Sequence, residues 1–454
     1  MRPLELILLL ACAAFGIRSA ALGRLASIPW IHGMQMMVAA VLIAQLVVEG
    51  WRWQMLPEYV AALLVAATPS VLGLNALTLF CSTAASFGLL AVSVLSCLVL
   101  PFVQLQAPHG PFSVGLTAIP VTVQRPPDTG PDELKAQPRV QLWYPAQAHG
   151  RQARLISLLI ERASAKFRAV PAAPALADAP IAQAGKKFPV VIYFDGWPED
   201  QTQNITLIRE LASRGFAVAS VTYQGINRPI VDYSSEAGFE RSVQLDHARA
   251  RVHAGDAIAV LDVLSRLTDE PGNRFAQRLD TQHAGVLGFS FGGAVAAEAS
   301  RLDPRIQAAV NLDGRHWGTA LERGVDKPYL FICEELVMPT EADLESADPM
   351  IRYEARLDRA DYSALNAHLP ARGGVRVTIG GTAHMNFTDI PLRSPLRRFS
   401  GGGGIDAQRA RLIINIFVVE FFSRYAGPGR PVPLDSAWPQ FPEVRLESWP
   451  ARGA

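Results

Sequence analysis

Gly288-Phe-Ser-Phe-Gly292 sets one serine between two glycines in a G-x-S-x-G pattern. A serine hydroxyl is a weak nucleophile at neutral pH and attacks a carbonyl only when a neighbouring base takes its proton. The glycines matter because a serine on a tight strand-to-helix turn exposes its oxygen, and β-carbons beside it would collide with backbone. Gly288 and Gly292 are read as this structural elbow, and Ser290 as the nucleophile. The base must be a downstream histidine, and the chain offers His316, His368 and His384. The orienting acid must stand between the two in the chain order serine, acid, histidine. Asp313 fits that order best, with Asp303, Asp326 and Asp389 as weaker options.

These side chains need strands to carry them. Val286-Leu287 supplies the strand end before the serine, and residues 294–300 supply a small-residue helix after it. Asp313 closes the apolar run 306–312, and Asp313-Gly314 is also a turn dipeptide. His384 follows the apolar run 375–379 and the Gly380-Gly381 turn, a loop at a strand's C-terminal end, where open α/β sheets place ligands. His368, two residues before Pro370, reads as solvated surface loop, and His316 as a residue lining the pocket. Upstream, 188–194 (FPVVIYF) is continuously apolar, as a strand buried on both faces must be. A helix is expected at 201–214, a strand at 216–222 and a long helix at 242–267. Segments 112–123 and 139–144 alternate like antiparallel edge strands. Strand–helix alternation predicts a mostly parallel, doubly wound α/β sheet.

A tetrahedral intermediate also needs backbone N–H donors. One is expected from Phe291, directly after the serine, and one from the loop Phe194-Asp-Gly-Trp-Pro198. In that loop the Trp197 N–H is the candidate, since Pro198 has none to donate.

Over most of residues 110–425 the chain resembles the platelet-activating-factor acetylhydrolase and dienelactone-hydrolase-like branch of the α/β-hydrolases. The residues that carry the resemblance are Gly110-Pro-Phe-Ser-Val-Gly115, Leu142-Trp-Tyr-Pro145, Arg278-Leu-Asp280, Val310-Asn-Leu-Asp-Gly314 and Gly381-Thr-Ala-His-Met-Asn-Phe387. The resemblance implies the α/β-hydrolase fold, puts nucleophile, acid and base on Ser290, Asp313 and His384, and puts the oxyanion donors on Trp197 and Phe291. Two positions depart from the family, Asp195 and Phe289, each where it usually has histidine, and both are expected to alter the pocket. The implied activity is hydrolysis of carboxylic esters, on short or oxidised acyl chains of phospholipids, as in 1-alkyl-2-acetylglycerophosphocholine esterases. A general carboxylesterase or a lactone hydrolase is the runner-up, and a binding protein on a degenerate hydrolase fold is the alternative from another class.

Composition narrows the partners. The 454 residues are 50% apolar and only 18% charged, with a net charge of +1, which argues against a nucleic-acid partner. The four cysteines, Cys12, Cys81, Cys97 and Cys333, have no metal-ligand spacing. No metal and no cofactor is expected, since a serine relay generates its own nucleophile.

The apolar excess is concentrated in residues 1–106, where runs at about 4–17, 33–48, 59–77 and 82–103 predict an all-α transmembrane region of about four helices. Leu9-Leu10-Ala11-Cys12 hints at a lipoprotein cleavage site, but Glu5 and the three later runs argue against cleavage. Arg18 and Arg24 in the first loop, against Arg52 between Glu49 and Glu58 in the second, place the first loop in the cytoplasm and so the N-terminus and the catalytic region, 107–454, on the extracytoplasmic side of an integral, multi-pass protein. Residues 107–111 read as a linker with little to bury.

Overall fold

The computed structural model of the chain describes residues 3–22, 28–49, 53–67, 76–99, 104–125, 132–147, 170–171, 175–197, 203–223, 231–393, 400–427 and 438–450. The chain divides into two compact units. One comprises residues 1–105, 159–172 and 392–400, and the other 106–158, 173–391 and 401–454. The sequence alone gave no sign of the two later segments that group with the first unit.

In the first unit, helices cover the four apolar runs: α1 (Pro3–Leu22), α2 (Ile28–Val48), α3 (Leu56–Ala67) and α4 (Ala76–Val99). Among the described residues no helix is long and apolar enough to cross a membrane. The expectation of transmembrane helices is corrected accordingly. Arg24 and Arg52, which entered the orientation argument, lie outside the described residues. The unit buries Glu5, Gln35, Gln45, Glu58 and Ser93 among its apolar core, while Leu10, Ile17, Met36, Ile43, Val47 and Leu98 stand exposed. Two of the bonds inside it cross between helices: Gln35 Nε2 donates to the Val65 carbonyl (3.1 Å), and the Glu58 backbone N–H to Ser93 Oγ (2.8 Å). Glu49, just past α2, accepts from the Leu4 and Glu5 amides and so caps α1.

In chain order the strands are β1 (Gln104–Leu105), β2 (Ser113–Ile119), β3 (Pro138–Ala146), β4 (Val170–Pro171), β5 (Leu176–Ala177), β6 (Phe188–Phe194), β7 (Ala217–Tyr223), β8 (Leu279–Phe289), β9 (Ile306–Leu312), β10 (Tyr329–Cys333), β11 (Gly374–Ile379) and β12 (Val444–Trp449). β1 and β4 form a small parallel ladder of their own. The other ten make one sheet in the second unit, in the order β12-β11-β10-β9-β8-β6-β7-β3-β2-β5. From β7 through β6, β8, β9 and β10 to β11 the pairing is parallel. The expected edge strands β2 and β3 are antiparallel neighbours, and β12, which sequence reasoning missed, closes the far side antiparallel to β11.

Helices cover both faces: α5 (Ile205–Ser213), α6 (Glu236–Asp269), α7 (Phe291–Leu302), α8 (Pro349–Arg372) and α9 (Ala407–Tyr425). β6 shows why its sequence is apolar throughout. Val190, Ile192 and Phe194 join one core with α6 and α7, whereas Val191 and Tyr193 join the other with α5 and α9. The chain runs one way from β6 to β7 and the other way from β8 onward. The sheet therefore has a switch point between β6 and β8, where open α/β sheets form a crevice at the strands' C-terminal ends.

Residues 107–111 are not the loose linker that their composition suggests. The His109 amide donates to Glu210 Oε2 (2.9 Å), and the amides of Gly110 and Phe112 to Ser213 Oγ and Ser213 O (3.0 Å each). Burial would raise the Glu210 carboxyl, but the bonds from His109 and Arg214 outweigh it and hold the group below its ordinary value. A chain beginning at Gln106 should therefore unfold cooperatively, and one beginning at Phe112 should be less stable by about 1–3 kcal/mol in denaturant melts at pH 7. A depressed carboxyl contributes stability above its unfolded-state pKa and loses it as pH falls through the folded-state value. The difference between the two chains should accordingly shrink below about pH 4.

Candidate active site

β8 ends at Phe289 and α7 begins at Phe291, so Ser290 alone makes the turn between them. Its backbone sits at φ 53° and ψ −124°, a conformation costing a non-glycine residue about 1–3 kcal/mol. The flanking glycines explain how the turn closes. A β-carbon on Gly288 would lie 1.9 Å from the Gly292 carbonyl oxygen, and one on Gly292 would lie 2.2 Å from that of Phe194. The turn is bonded to its neighbour strand, the Ser290 amide donating to the Leu312 carbonyl (2.9 Å).

Asp313 directly follows β9, and His384 opens a 3-10 turn, His384–Phe387, beyond β11. The structure brings all three side chains together. His384 Nε2 lies 3.0 Å from Ser290 Oγ, and His384 Nδ1 lies 2.7 Å from Asp313 Oδ2. The Asp313 side chain is 6% exposed and that of His384 44%, so the acid is sheltered while the base reaches the open crevice. Asp313, at φ 54°, also accepts the Glu334 amide on Oδ1 (2.9 Å).

Two asparagines that sequence reasoning passed over hold these loops. Asn311 bonds both the N–H and the C=O of Gly314 (2.8 Å each), clamping the turn that carries Asp313. Asn386 Oδ1 accepts from Ala383 (2.9 Å) and Gly403 (2.7 Å), fixing the histidine loop against the 401–404 glycine run. A β-carbon on Gly403 would stand 2.3 Å from the Gly381 carbonyl oxygen, so this low-complexity patch is a seat for the loop. The glycine run itself was the available signal.

Trp197 and Phe291 line the same cavity as Ser290, Asp313 and His384, a space of about 490 Å³. A β-carbon on Gly196 would come within 2.9 Å of Ser290 Cβ, so the loop after β6 passes directly over the nucleophile. Buried Arg249 on α6 places its guanidinium 6.0 Å from the Trp197 ring centroid and 5.8 Å from that of Phe291. Pro198 lies outside the described residues.

Four expectations are corrected. Asp195 is buried next to the Tyr193 hydroxyl, because residues two apart on an extended strand share a face. Phe289 does not line the cavity; it is buried with its ring 4.8 Å from that of His384, supporting the base from below. His316 is buried between Asp361 (2.8 Å) and the Tyr329 hydroxyl (2.7 Å), behind the wall. His368 is no solvated loop residue: it lies in α8, part-buried, with Nε2 3.1 Å from the Leu321 carbonyl oxygen. Sequence reasoning also missed the cavity's charged wall, where Arg315 pairs with Glu354 and Asp358, and where Glu334 stands beside the relay. Burial, reinforced by the charge of Asp313, pushes the Glu334 carboxyl up to about 7. Among the described residues no cluster suited to a metal ion occurs.

The family model for platelet-activating factor acetylhydrolase, isoform II, matches residues 259–428, a stretch that holds Ser290, Asp313 and His384. The platelet-activating factor acetylhydrolase of Gallus gallus is 23% identical over 191 residues, 33% of this chain, and the match spans about half (45%) of that protein's length. Among solved structures, the ferulic acid esterase from Streptomyces cinnamoneus superposes with a TM-score of 0.52 at 26% identity, over 76% of this chain and 99% of that one. The second unit has the α/β-hydrolase fold. In this α/β-hydrolase unit the crevice at the switch point holds a serine within reach of an imidazole, which can deprotonate it for attack on a carbonyl carbon.

Removing the Asn311 clamp should loosen the acid's turn. Asn311→Ala leaves the Gly314 amide and carbonyl without their partner, at a cost of about 2–4 kcal/mol. Turnover of any substrate should fall about tenfold or more as Asp313 loses its position. Denaturant melts and kcat on the same preparation check both.

Proposed function

We propose that the protein is a serine hydrolase of carboxylic esters. The observation that carries this reading is the continuous line Ser290 Oγ, His384, Asp313, with contacts of 3.0 and 2.7 Å. His384 Nε2 takes the Ser290 proton as Oγ bonds to the ester carbonyl carbon. Asp313 holds the imidazole by its Nδ1–H and stabilises the imidazolium. The oxyanion is bound by the backbone N–H groups of Phe291 and Trp197. Imidazolium then protonates the departing alkoxide, leaving an acyl-Ser290 ester; a water deprotonated by His384 adds to the acyl carbon, the bond from that carbon to Ser290 Oγ breaks as the imidazolium returns its proton to Oγ, and the acid leaves.

The substrates we propose are short-chain acyl esters of phospholipids, supported by the similarity to platelet-activating factor acetylhydrolases over the stretch that holds the relay. A second reading has its own support: Trp197, Tyr233, Trp317, Phe331 and Tyr362 wall the cavity and suit a planar aryl ester, in line with the ferulic acid esterase likeness. Comparing kcat/KM on acetyl phospholipids and on aryl-acid methyl esters separates the two. The N-terminal unit we read as the part that contacts lipid, since many large apolar side chains outside its apolar core, among them Leu10, Ile17, Met36, Ile43, Val47 and Leu98, stand exposed. Flotation with phosphatidylcholine vesicles should carry the full chain and leave a chain from Gln106 in solution.

Ser290→Ala should lower ester turnover by about 10⁴–10⁶-fold with little change in folding, and should abolish labelling by a fluorophosphonate. His384→Gln should have a comparable effect, whereas His368→Gln should keep turnover near the parent level. Substantial ester turnover in Ser290→Ala would sink the assignment.

A further inference from the structure

β9 and β10 lie side by side between the strand that presents Ser290 and the strand that leads to His384. Each of these parallel strands is followed at once by a carboxylate, Asp313 after Leu312 and Glu334 after Cys333. Glu334 touches the relay twice. Its backbone N–H donates to Asp313 Oδ1 at 2.9 Å, leaving Oδ2 for His384. Its side chain is half-buried in the cavity wall that Ser290 and His384 share, and the backbone N–H of His384 faces its carboxylate.

We propose that Glu334 is a positioning residue of the relay, a second carboxylate that holds Asp313 through its amide and governs, by its side-chain charge, how readily His384 accepts the Ser290 proton. The inference rests on the ester-hydrolase reading above.

The groups that face this carboxylate are Asp313 beyond β9, His384 beyond β11 and Asp358 on α8, with Arg315, Glu354, Asp361 and Tyr362 along the rest of the wall. Arg315 is already paired with Glu354 and Asp358, so the local positive charge is answered by those two. Burial raises the Glu334 carboxyl most, Asp313 raises it further, and His384 pulls it back, leaving it at about 7. Glu334 therefore gains its charge as pH rises through neutrality. That negative charge favours the imidazolium, both at rest and when His384 takes the serine proton.

The test is the pH profile of kcat/KM for Glu334→Gln, which keeps the amide to Asp313 and removes only the charge. The acid limb should become shallower and move to lower pH by about one unit or less. The plateau should fall by up to about tenfold. Glu334→Asp, which retains a carboxylate, should recover part of both effects. If Glu334 serves only through its main chain, the Gln profile will superimpose on that of the parent, and the proposal is overturned.

A second measurement needs no turnover. In Ser290→Ala protein, the His384 ring followed by NMR should titrate at lower pH once Glu334 is also Gln, and an unchanged titration overturns the proposal as well. The two readings separate cleanly. Parental turnover in Ser290→Ala defeats the hydrolase assignment, whereas an inert Glu334→Gln defeats only the second carboxylate.

Discussion

The site depends on one close approach of backbone to backbone. The start of α7 meets the end of β6 with no side chain between them, since a β-carbon on Gly292 would stand 2.2 Å from the Phe194 carbonyl oxygen. That contact fixes the height of Ser290 above the sheet and draws the loop bearing Trp197 over it. The left-handed φ of Ser290 follows from the same closure: the chain must leave a buried strand and enter a helix within one residue. Such strain persists only where the surroundings over-determine it. Here the Ser290 amide is bonded to the end of β9 and the Asp313 amide to the end of β10, so neighbouring strand ends hold the turn from one side.

Parallel register carries this constraint across the crevice. β8, β9, β10 and β11 are consecutive neighbours, so the residues just past their C-terminal ends come to one edge of the sheet. Serine, aspartate, glutamate and histidine reach that edge from four strands in order. Asp313 is sheltered and His384 half-exposed, a gradient that suits the roles proposed for them: a buried carboxylate stays oriented, and an accessible imidazole can exchange protons with substrate and water. Behind the opposite lip, Arg249 sets a buried positive charge near the rings of Trp197 and Phe291, on the side where the oxyanion of the proposed mechanism would form.

Much of this was legible in the sequence because the elbow is a local device and the remaining order is imposed by topology. Gly288, Ser290 and Gly292 sit within five residues, and strand patterns flank Asp313 and His384. What stayed hidden depends on long-range placement. Asn386 meets Gly403 across seventeen positions, and Glu334 meets Asp313 across twenty-one. No periodicity encodes either pairing. Asp195 and Phe289 were misplaced because family position was taken for exposure, while strand alternation turned the first away and packing put the second beneath His384. His368 was misread because Pro370 suggested a loop, yet the proline is accommodated in the last turn of α8, two residues before its end.

The apolar half of the composition divides between two units, each with an apolar core, that differ in how much apolar surface they leave exposed. In the α/β-hydrolase unit, apolar side chains fill two cores on either face of a sheet, and most charged residues lie outside them. In the N-terminal unit, Leu8, Val38, Leu42, Met55, Val65 and Leu90 form an apolar core that also encloses Glu5, Gln35, Gln45 and Glu58, and many other large apolar side chains stand exposed. Water would make the second arrangement costly twice over, through exposed apolar surface and through desolvated polar groups. In hydrocarbon the first cost disappears, and a polar group bonded to a neighbouring helix becomes a source of association between helices. The exposed apolar side chains of this unit, rather than the polar groups inside it, are what motivate the lipid-contacting role proposed for it.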